Sequence, residues 1–565
     1  MRLDQWLSTR KRYVMLALAA LCIVVRVIYY AQLSDGPLLW AHRWTESDNN
    51  FFDRWAKEIA AGDWLTNQEL HPMVSWNYTM AKMYFDRHPE KIAEFQPAGS
   101  PPGDDAARAT ALWNRWLGGK AFHQEPLYAY AIALTYRLFG PDVRWVFAWQ
   151  MALGVLTTLL LWDLARRYFG ETAGALAGVM IALFAPLYYL ELTLVRTSLQ
   201  TFLAVAILYL AERAIERQSA KTWLWTGIAF GIAILGQSTL VLFAGACLLW
   251  LMWRRRIGFA AIVVGGVLLG LSPAIARNLI VGVSPFTLAA NGAMTLIGGS
   301  DASATPEMGG GGWNFARVEY VMEQSDAKSW PAMKMSLASH GSAAHFAWLL
   351  ARKFAKFWQW YEEPDNQNFY YFRLYSTMLR VSLTAYLVAP LILVGLLVAA
   401  PLFPRCALLY ALGANGIAIA LIASPVARYR AGFLAAMIPF AAYAVVRAAE
   451  EWRRGAAIAA AAVLVFLWTS RPLPAGRREI RTTDYLAPYY YYWIPEHTGA
   501  TQAGLWRRAA SLLQESLQVE PADVGQVKDL SQAFSQIHAQ LATDLANAGD
   551  PAGAARQAMR AQDLK

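Results

Sequence analysis

Long apolar runs set the organisation of this chain. About eleven of them approach the ~20 residues a helix needs to cross ~30 Å of hydrocarbon. They cover 14–31, 144–164, 172–189, 198–213, 222–236, 238–253, 257–274, 378–400, 406–423, 431–447 and 456–470. Between them lie polar stretches, at 31–144, 277–375 and beyond 475. Glu125–Gly140 is apolar but short, with Pro126 at its head and Arg137 near its tail, and reads as a helix lying at the membrane surface or re-entering it. The alternative, a true span, would invert every later segment. The pattern predicts an all-α polytopic membrane protein: a helix bundle over 1–475 with two outer loops (31–144 and 277–375), and a small helical domain over 476–565.

Charge orients the bundle. Arg10–Arg12, Arg166–Arg167, Arg213, Arg217, Lys221, Arg254–Arg256, Arg405, Arg447 and Arg453–Arg454 all fall on one side if the N-terminus is cytoplasmic. That is the arrangement the positive-inside rule requires, and it sends the loops and the tail to the other face. Of 565 residues, 56% are hydrophobic and 16% charged, against the ~25% charge of soluble domains. The net charge of +10 is thereby explained by topology, and a nucleic-acid partner is not expected. Cys22, Cys247 and Cys406 have no metal or redox spacing. The basic start followed by a long apolar run reads as a signal anchor, not a cleavable leader.

Candidate chemistry gathers on the outer side. "TESDNNFFDRWAKEIAAGDWL" (Thr45–Leu65) has Phe52, Trp55, Ala56 and Ile59 at helical spacing. Asp48 stands just before that amphipathic helix, where it reads either as an N-cap or as a functional carboxylate. Glu191, near the mouth of a span, is costly there unless paired or functional, and Arg196 is its expected partner. Arg428-Tyr429-Arg430 is positive charge on the side where little is expected. Arginine forks suit phosphate, although headgroup snorkelling is the bland alternative. His71, His88, His123 and Glu125 lack metal-binding spacing, so no metal site is expected. The Gly309–Gly312 run reads as a hinge or lid, and Tyr489–Trp493 as an interfacial aromatic belt.

The ordered blocks resemble the bacterial GT-C glycosyltransferases of family 39 type, the group of protein mannosyltransferases and aminoarabinose transferases. They are the Ser47–Asp48 segment, Gln124–Gly140 ("QEPLYAYAIALTYRLFG"), Leu183–Leu203 ("LFAPLYYLELTLVRTSLQTFL"), Leu271–Ser300, Phe357–Arg373 ("FWQWYEEPDNQNFYYFR") and Ser424–Phe440 ("SPVARYRAGFLAAMIPF"). Leu541–Leu564 resembles one tetratricopeptide helix pair, too few repeats for a solenoid.

The resemblance implies a GT-C-like bundle that passes a sugar from a polyprenyl phosphate to an acceptor hydroxyl, with inversion, at the periplasmic face of the bacterial inner membrane. Asp48 would be the base, with Glu46 its substitute because relatives often carry an acidic pair where this chain has Ser47–Asp48. Glu191 would assist catalysis, and Arg196, Arg428, Tyr429 and Arg430 would hold the donor phosphate. His123, Glu125, Tyr128, Arg277 and Asn291 would line the pocket. The implied partners are the lipid-linked donor, membrane lipids and a protein or glycan acceptor, with no cofactor required. Rival readings are a transporter or flippase for lipid-linked saccharides, or a non-catalytic anchor for the helical tail. The transporter reading expects internal repeats and mid-membrane charges.

Overall fold

The computed structural model describes residues 2–306, 314–365, 367–450, 452–471, 493–494, 501–502, 504–505, 535, 538–539, 542–543, 545–547 and 550–563. Among these the regular elements are helices, and a single isolated β-bridge joins Phe184 to Leu383. An amphipathic helix, α1 (Arg2–Thr9), precedes α2 (Lys11–Leu33). The first loop folds into α3 (Asp48–Ala61), α4 (Ser75–Arg87), α5 (Asp105–Trp116) and α6 (Leu127–Phe139). The central bundle is α7 (Val143–Phe169), α8 (Glu171–Ala182), α9 (Ala185–Tyr188), α10 (Thr197–Arg217), α11 (Ala220–Ile234), α12 (Val241–Trp253) and α13 (Ile257–Val281).

The second loop carries α14 (Gly292–Ser300), α15 (Phe315–Gln324), α16 (Ser329–Ala338), α17 (Ala343–Trp358), α18 (Phe369–Tyr375) and α19 (Thr377–Val381). Then follow α20 (Ala385–Val398), α21 (Phe403–Ile422), α22 (Ala427–Glu450), α23 (Trp452–Thr469) and, in the tail, α24 (Pro551–Asp563).

Among the described residues six helices are long and apolar enough to cross a membrane: α2, α7, α10, α13, α22 and the stretch Ala400–Ile422. The other expected spans fall on shorter helices, two of them for a reason hydropathy does not register. The segments 172–189 and 378–400 are each broken. Ala185 N–H donates to Leu383 O (2.8 Å) and Leu383 N–H to Leu183 O (2.9 Å). The two breaks satisfy one another's backbone groups, as any interruption in a low-dielectric region must. At 13 residues, roughly 20 Å, α6 is too short to cross. It packs on α3, where Tyr136 Oη donates to Asp53 Oδ1 (2.6 Å) and Tyr128 meets Phe52 edge-on.

Residues 309–312, 489–492 and most of the helical domain expected over 476–565 lie outside the described residues. Within the tail, Ser535 Oγ donates to Ala561 O (2.6 Å) on α24. Ile494 and Leu545 share an apolar cluster with Phe51 and Trp55 of α3.

Helix contact inside lipid depends on close packing, because tails are as apolar as Leu. In α11 and α13 this is done by two facing Gly-x-x-x-Gly pairs, Gly227/Gly231 and Gly266/Gly270, all buried. A Cβ on Gly231 would sit 2.4 Å from Val267 O, and one on Gly270 2.5 Å from Ile228 O. The backbones therefore touch directly. Gly231→Leu should force the pair apart and lower stability by about 1–3 kcal/mol or more, read as a fall in the melting midpoint in detergent. Gly245→Ala, where a Cβ meets nothing within 4 Å, should leave the midpoint unchanged.

Candidate active site

Ser47 decides what Asp48 does. Its hydroxyl accepts from Asn50 N–H (3.3 Å) and donates to Trp44 O (2.7 Å), which makes it the N-cap of α3. The apolar face expected for this helix is buried through Phe51, Phe52, Trp55, Ala56 and Ile59, and Gly62 ends it. Asp48, expected as a possible cap, is thus the first helical residue, with its carboxylate turned to tertiary partners. Oδ1 accepts from Gln124 Nε2 (3.0 Å), and Oδ2 pairs with Arg428 Nη1 (2.5 Å). Next along, Asn49 is buried and accepts from Leu194 N–H (2.8 Å), fixing α3 to the turn before α10.

Arg428 lies in the first turn of α22 between two carboxylates. Its Nη1 holds Asp48, its Nε pairs with Asp365, and its Nη2 donates to Tyr429 Oη (3.2 Å). A second pair sits beside this one: Arg196, at the start of α10, binds Glu125, at the start of α6. Glu125 Oε1 also accepts from the Ser238 backbone (2.9 Å) and hydroxyl (2.6 Å). The first turns of α3, α6, α10 and α22 therefore meet at one end of the bundle. Each brings the positive end of its helix dipole, so the place suits an anion.

Burial favours the neutral form of Asp48, but the Arg428 guanidinium outweighs it and holds the carboxyl below its ordinary range. Glu125 is likewise held low, burial being outweighed by Arg196 and Ser238. His71 and His123 face each other, Nδ1 to Nδ1 at 3.4 Å, and His71 Nε2 bonds Gly119 O (2.7 Å). With the carbonyl as acceptor, His71 carries its proton on Nε2. His123 then donates from Nδ1 and keeps a lone pair on Nε2. Burial pushes His71 to about 4 and His123 to about 3, so both are neutral at physiological pH.

Several expected residues are used elsewhere. Arg430 is not a phosphate clamp. It is 1% exposed, and its fork is taken by Glu362 (3.0 Å) and the carbonyls of Phe357 (2.9 Å), Gln359 (2.6 Å) and Tyr361 (2.8 Å). Glu191 does not pair with Arg196. It is buried against Arg26 of α2 at 2.7 Å, beside Gly154, where a Cβ would overlap both groups. Arg277 pins the first loop instead of facing a ligand, donating to Leu65 O (2.6 Å), Thr66 O (2.5 Å) and Lys120 O (2.8 Å) with Phe122 beneath it. Tyr128 is fully buried behind the site, donating to Gln150 Oε1 (3.0 Å). Asn291 precedes α14, and its backbone N–H donates to His123 O (3.3 Å). Glu46 is half-buried just before Ser47. His88 is remote from this group, paired with Glu323 of α15 (2.9 Å). Among the described residues no group of three or more His, Cys, Asp or Glu is placed to hold a metal ion.

Gln124, Ser238 and Asp365 are additional members. Asp365 had a visible signal: "EEPD" carries three carboxylates in a membrane-rich chain. Glu362, Glu363 and Asp365 pair in turn with Arg430, Lys356 and Arg428.

Residues 123–277, about a quarter of the chain, match the family described as dolichyl-phosphate-mannose-protein mannosyltransferase. That description bears out the resemblance to GT-C glycosyltransferases. No curated protein matches the chain. Among solved structures, an Archaeoglobus fulgidus oligosaccharyltransferase tethered to an acceptor peptide shares 15% identity, with a TM-score of 0.35. The match covers 66% of this chain and 51% of that one. AglB of the same organism, in complex with an inhibitory peptide and a dolichol-phosphate, shares 13% (TM-score 0.36, 90% of this chain and 60% of that one). Apo ArnT from Cupriavidus metallidurans shares 16% (TM-score 0.22, 71% and 79%). The chain thus spans between half and two-thirds of the first two structures.

The geometry separates two arginines two residues apart. Arg430→Ala should strand Glu362 in the core and cost about 3–5 kcal/mol, seen as loss of folded protein by size exclusion. Arg428→Ala, at the partly open site, should give folded protein with lost activity.

Proposed function

We propose that this GT-C-type chain transfers a sugar from a polyprenyl-phosphate carrier to an acceptor hydroxyl, with inversion, at the end of the bundle that holds Asp48. The observation that carries the reading is the meeting of Asp48, Arg428 and Arg196 at four converging helix starts. A carboxylate kept ionised lies beside guanidiniums that face the same anion-friendly space. The family description, which names a dolichyl-phosphate sugar, supports a lipid phosphate as leaving group.

In the step proposed, the acceptor oxygen attacks the anomeric carbon from the face opposite the phosphate. The new C–O bond forms as the bond to phosphate oxygen breaks, the acceptor proton passes to Asp48, and the carrier departs as the lipid phosphate. A carboxylate of low pKa is a weak base, but it is adequate when the hydroxyl becomes acidic only as the bond forms to an oxocarbenium-like carbon. Arg196 and Arg428 meet the charge that develops on the leaving phosphate, so the reading calls on no cofactor. His123, neutral and with its Nε2 lone pair, serves as a hydrogen-bond acceptor for sugar or acceptor hydroxyls. The basic clusters at the opposite end support a periplasmic site in a bacterial inner membrane with a cytoplasmic N-terminus. The acceptor is a protein or glycan hydroxyl.

Asp48→Asn removes the base and keeps the shape. Transfer from purified polyprenyl-phosphate sugar should fall by about 10²–10⁴ in protein that remains folded by size exclusion; activity near wild type would overturn the reading.

The pH profile gives a separate check. Because the Asp48 pKa is depressed, the base form is complete at neutral pH and is lost only as pH falls through that low value. In Arg428→Gln the burial remains while the opposing charge is gone, so the acid limb of the residual rate should move to higher pH.

A further inference from the structure

A cavity lies far from Asp48, at the other end of α22. It encloses about 360 Å³, within the ~300–1,000 Å³ of small-molecule sites, and its lining includes Asp4, Arg166, Arg405, Tyr443, Arg447 and Glu450. Arg428 opens α22 and Arg447 lies in its last turns. Nineteen residues of helix separate them, roughly 28 Å, which is close to the thickness of the hydrocarbon. The cavity therefore sits at the opposite membrane face, among the basic clusters.

Its charges are unequally committed. Arg166 is bound by Asp163 and by Glu171 (3.4 Å). Asp4 accepts from the Thr172 backbone (2.7 Å) and hydroxyl (2.8 Å), capping α8. Arg447 and Glu450 pair at 2.6 Å, with Glu450 still 43% exposed. Arg405 differs: it donates to the carbonyl of Arg167 and, among the described residues, meets no carboxylate within ion-pair distance. The Phe169 and Tyr443 rings stack at 4.7 Å on one wall, the kind of aromatic surface found at headgroup level.

We infer that this cavity binds a phosphate group, through Arg405 and Arg447, and that its natural bearer is an anionic phospholipid of the leaflet on the basic side. A pocket between transmembrane helices, lined by arginine at headgroup depth, is the recognised form of such a site. Asp4 closes one wall from α1, whose Leu3 and Trp6 are exposed as on a helix lying along a membrane surface. Headgroup binding would thus tie α1 to the ends of α7, α21 and α22.

The test titrates the full chain in neutral detergent with phosphatidylglycerol and, separately, with uncharged diacylglycerol, reading bound lipid by native mass spectrometry. Sites at the Asp48 end contribute equally to all variants, so differences report on this cavity. Wild type should hold one phosphatidylglycerol that Arg405→Gln/Arg447→Gln binds at least about tenfold more weakly, the effect of losing one charge-assisted contact or more. Arg405→Gln alone, which gives up a single backbone contact, provides the same reading if the double variant melts early. A lipid that millimolar inorganic phosphate does not displace identifies the phospholipid as bearer; displacement identifies free phosphate, and both uphold the site. Equal phosphatidylglycerol binding by wild type and both variants, or equal retention of diacylglycerol, would overturn it.

Discussion

The contact between Asp48 and Arg428 joins positions 380 residues apart, and this end of the bundle is arranged around it. The pair is a charged tie between the first loop and α22. The pair itself stands on neighbours that fix each partner: Ser47 as cap, Asn49 on Leu194 and Gln124 on one side, Asp365 and Tyr429 on the other. An arginine between two carboxylates is overcommitted in charge. An incoming phosphate or hydroxyl can therefore exchange with one partner without leaving the guanidinium bare.

Charge within a membrane protein is expensive unless paired, so pairing alone does not mark a site. Exposure does. Arg26–Glu191 and Arg430–Glu362 are sealed, with side chains no more than 2% exposed, and nothing arriving from outside can reach them. Arg428–Asp48 and Arg428–Asp365 retain 12–20%. The sealed pairs hold helices in register, as does Lys353, buried with its ammonium on the Leu421 carbonyl (3.2 Å) at the end of α21. The partly open pairs are the ones a solute could reach.

Much of this was legible before any coordinates. Periodicity gave α3 its buried face, and the ordered blocks brought Asp48, Glu125, Arg196 and Arg428 to one end. What sequence could not assign was partner choice. Glu191 and Arg196, five positions apart, look like a pair, yet the turn between them sends one inward to Arg26 and the other to Glu125. Arg428 and Arg430 look equivalent, but two positions on a helix differ by about 200°, so one faces the site and the other the core. The helix breaks at 183–184 and 382–384 were hidden because hydropathy measures apolarity, not backbone continuity.

Those breaks explain why the site forms where it does. An unbroken α8 would carry the chain past the level of Glu191 in a straight line. The interruption at Phe184, stabilised by Leu383, lets the chain turn through Tyr188–Leu192 and re-enter as α10 with Arg196 at its first turn. Tyr29 Oη on Tyr189 O (3.0 Å) and Gln150 Nε2 on the carbonyls of Glu191 and Thr193 (2.9 Å each) hold that turn rigid from α2 and α7. The Arg26–Glu191 pair is then not a failed catalytic group but the brace beneath the site. It fixes the depth at which α10 begins, and so the position of Arg196 beside Asp48.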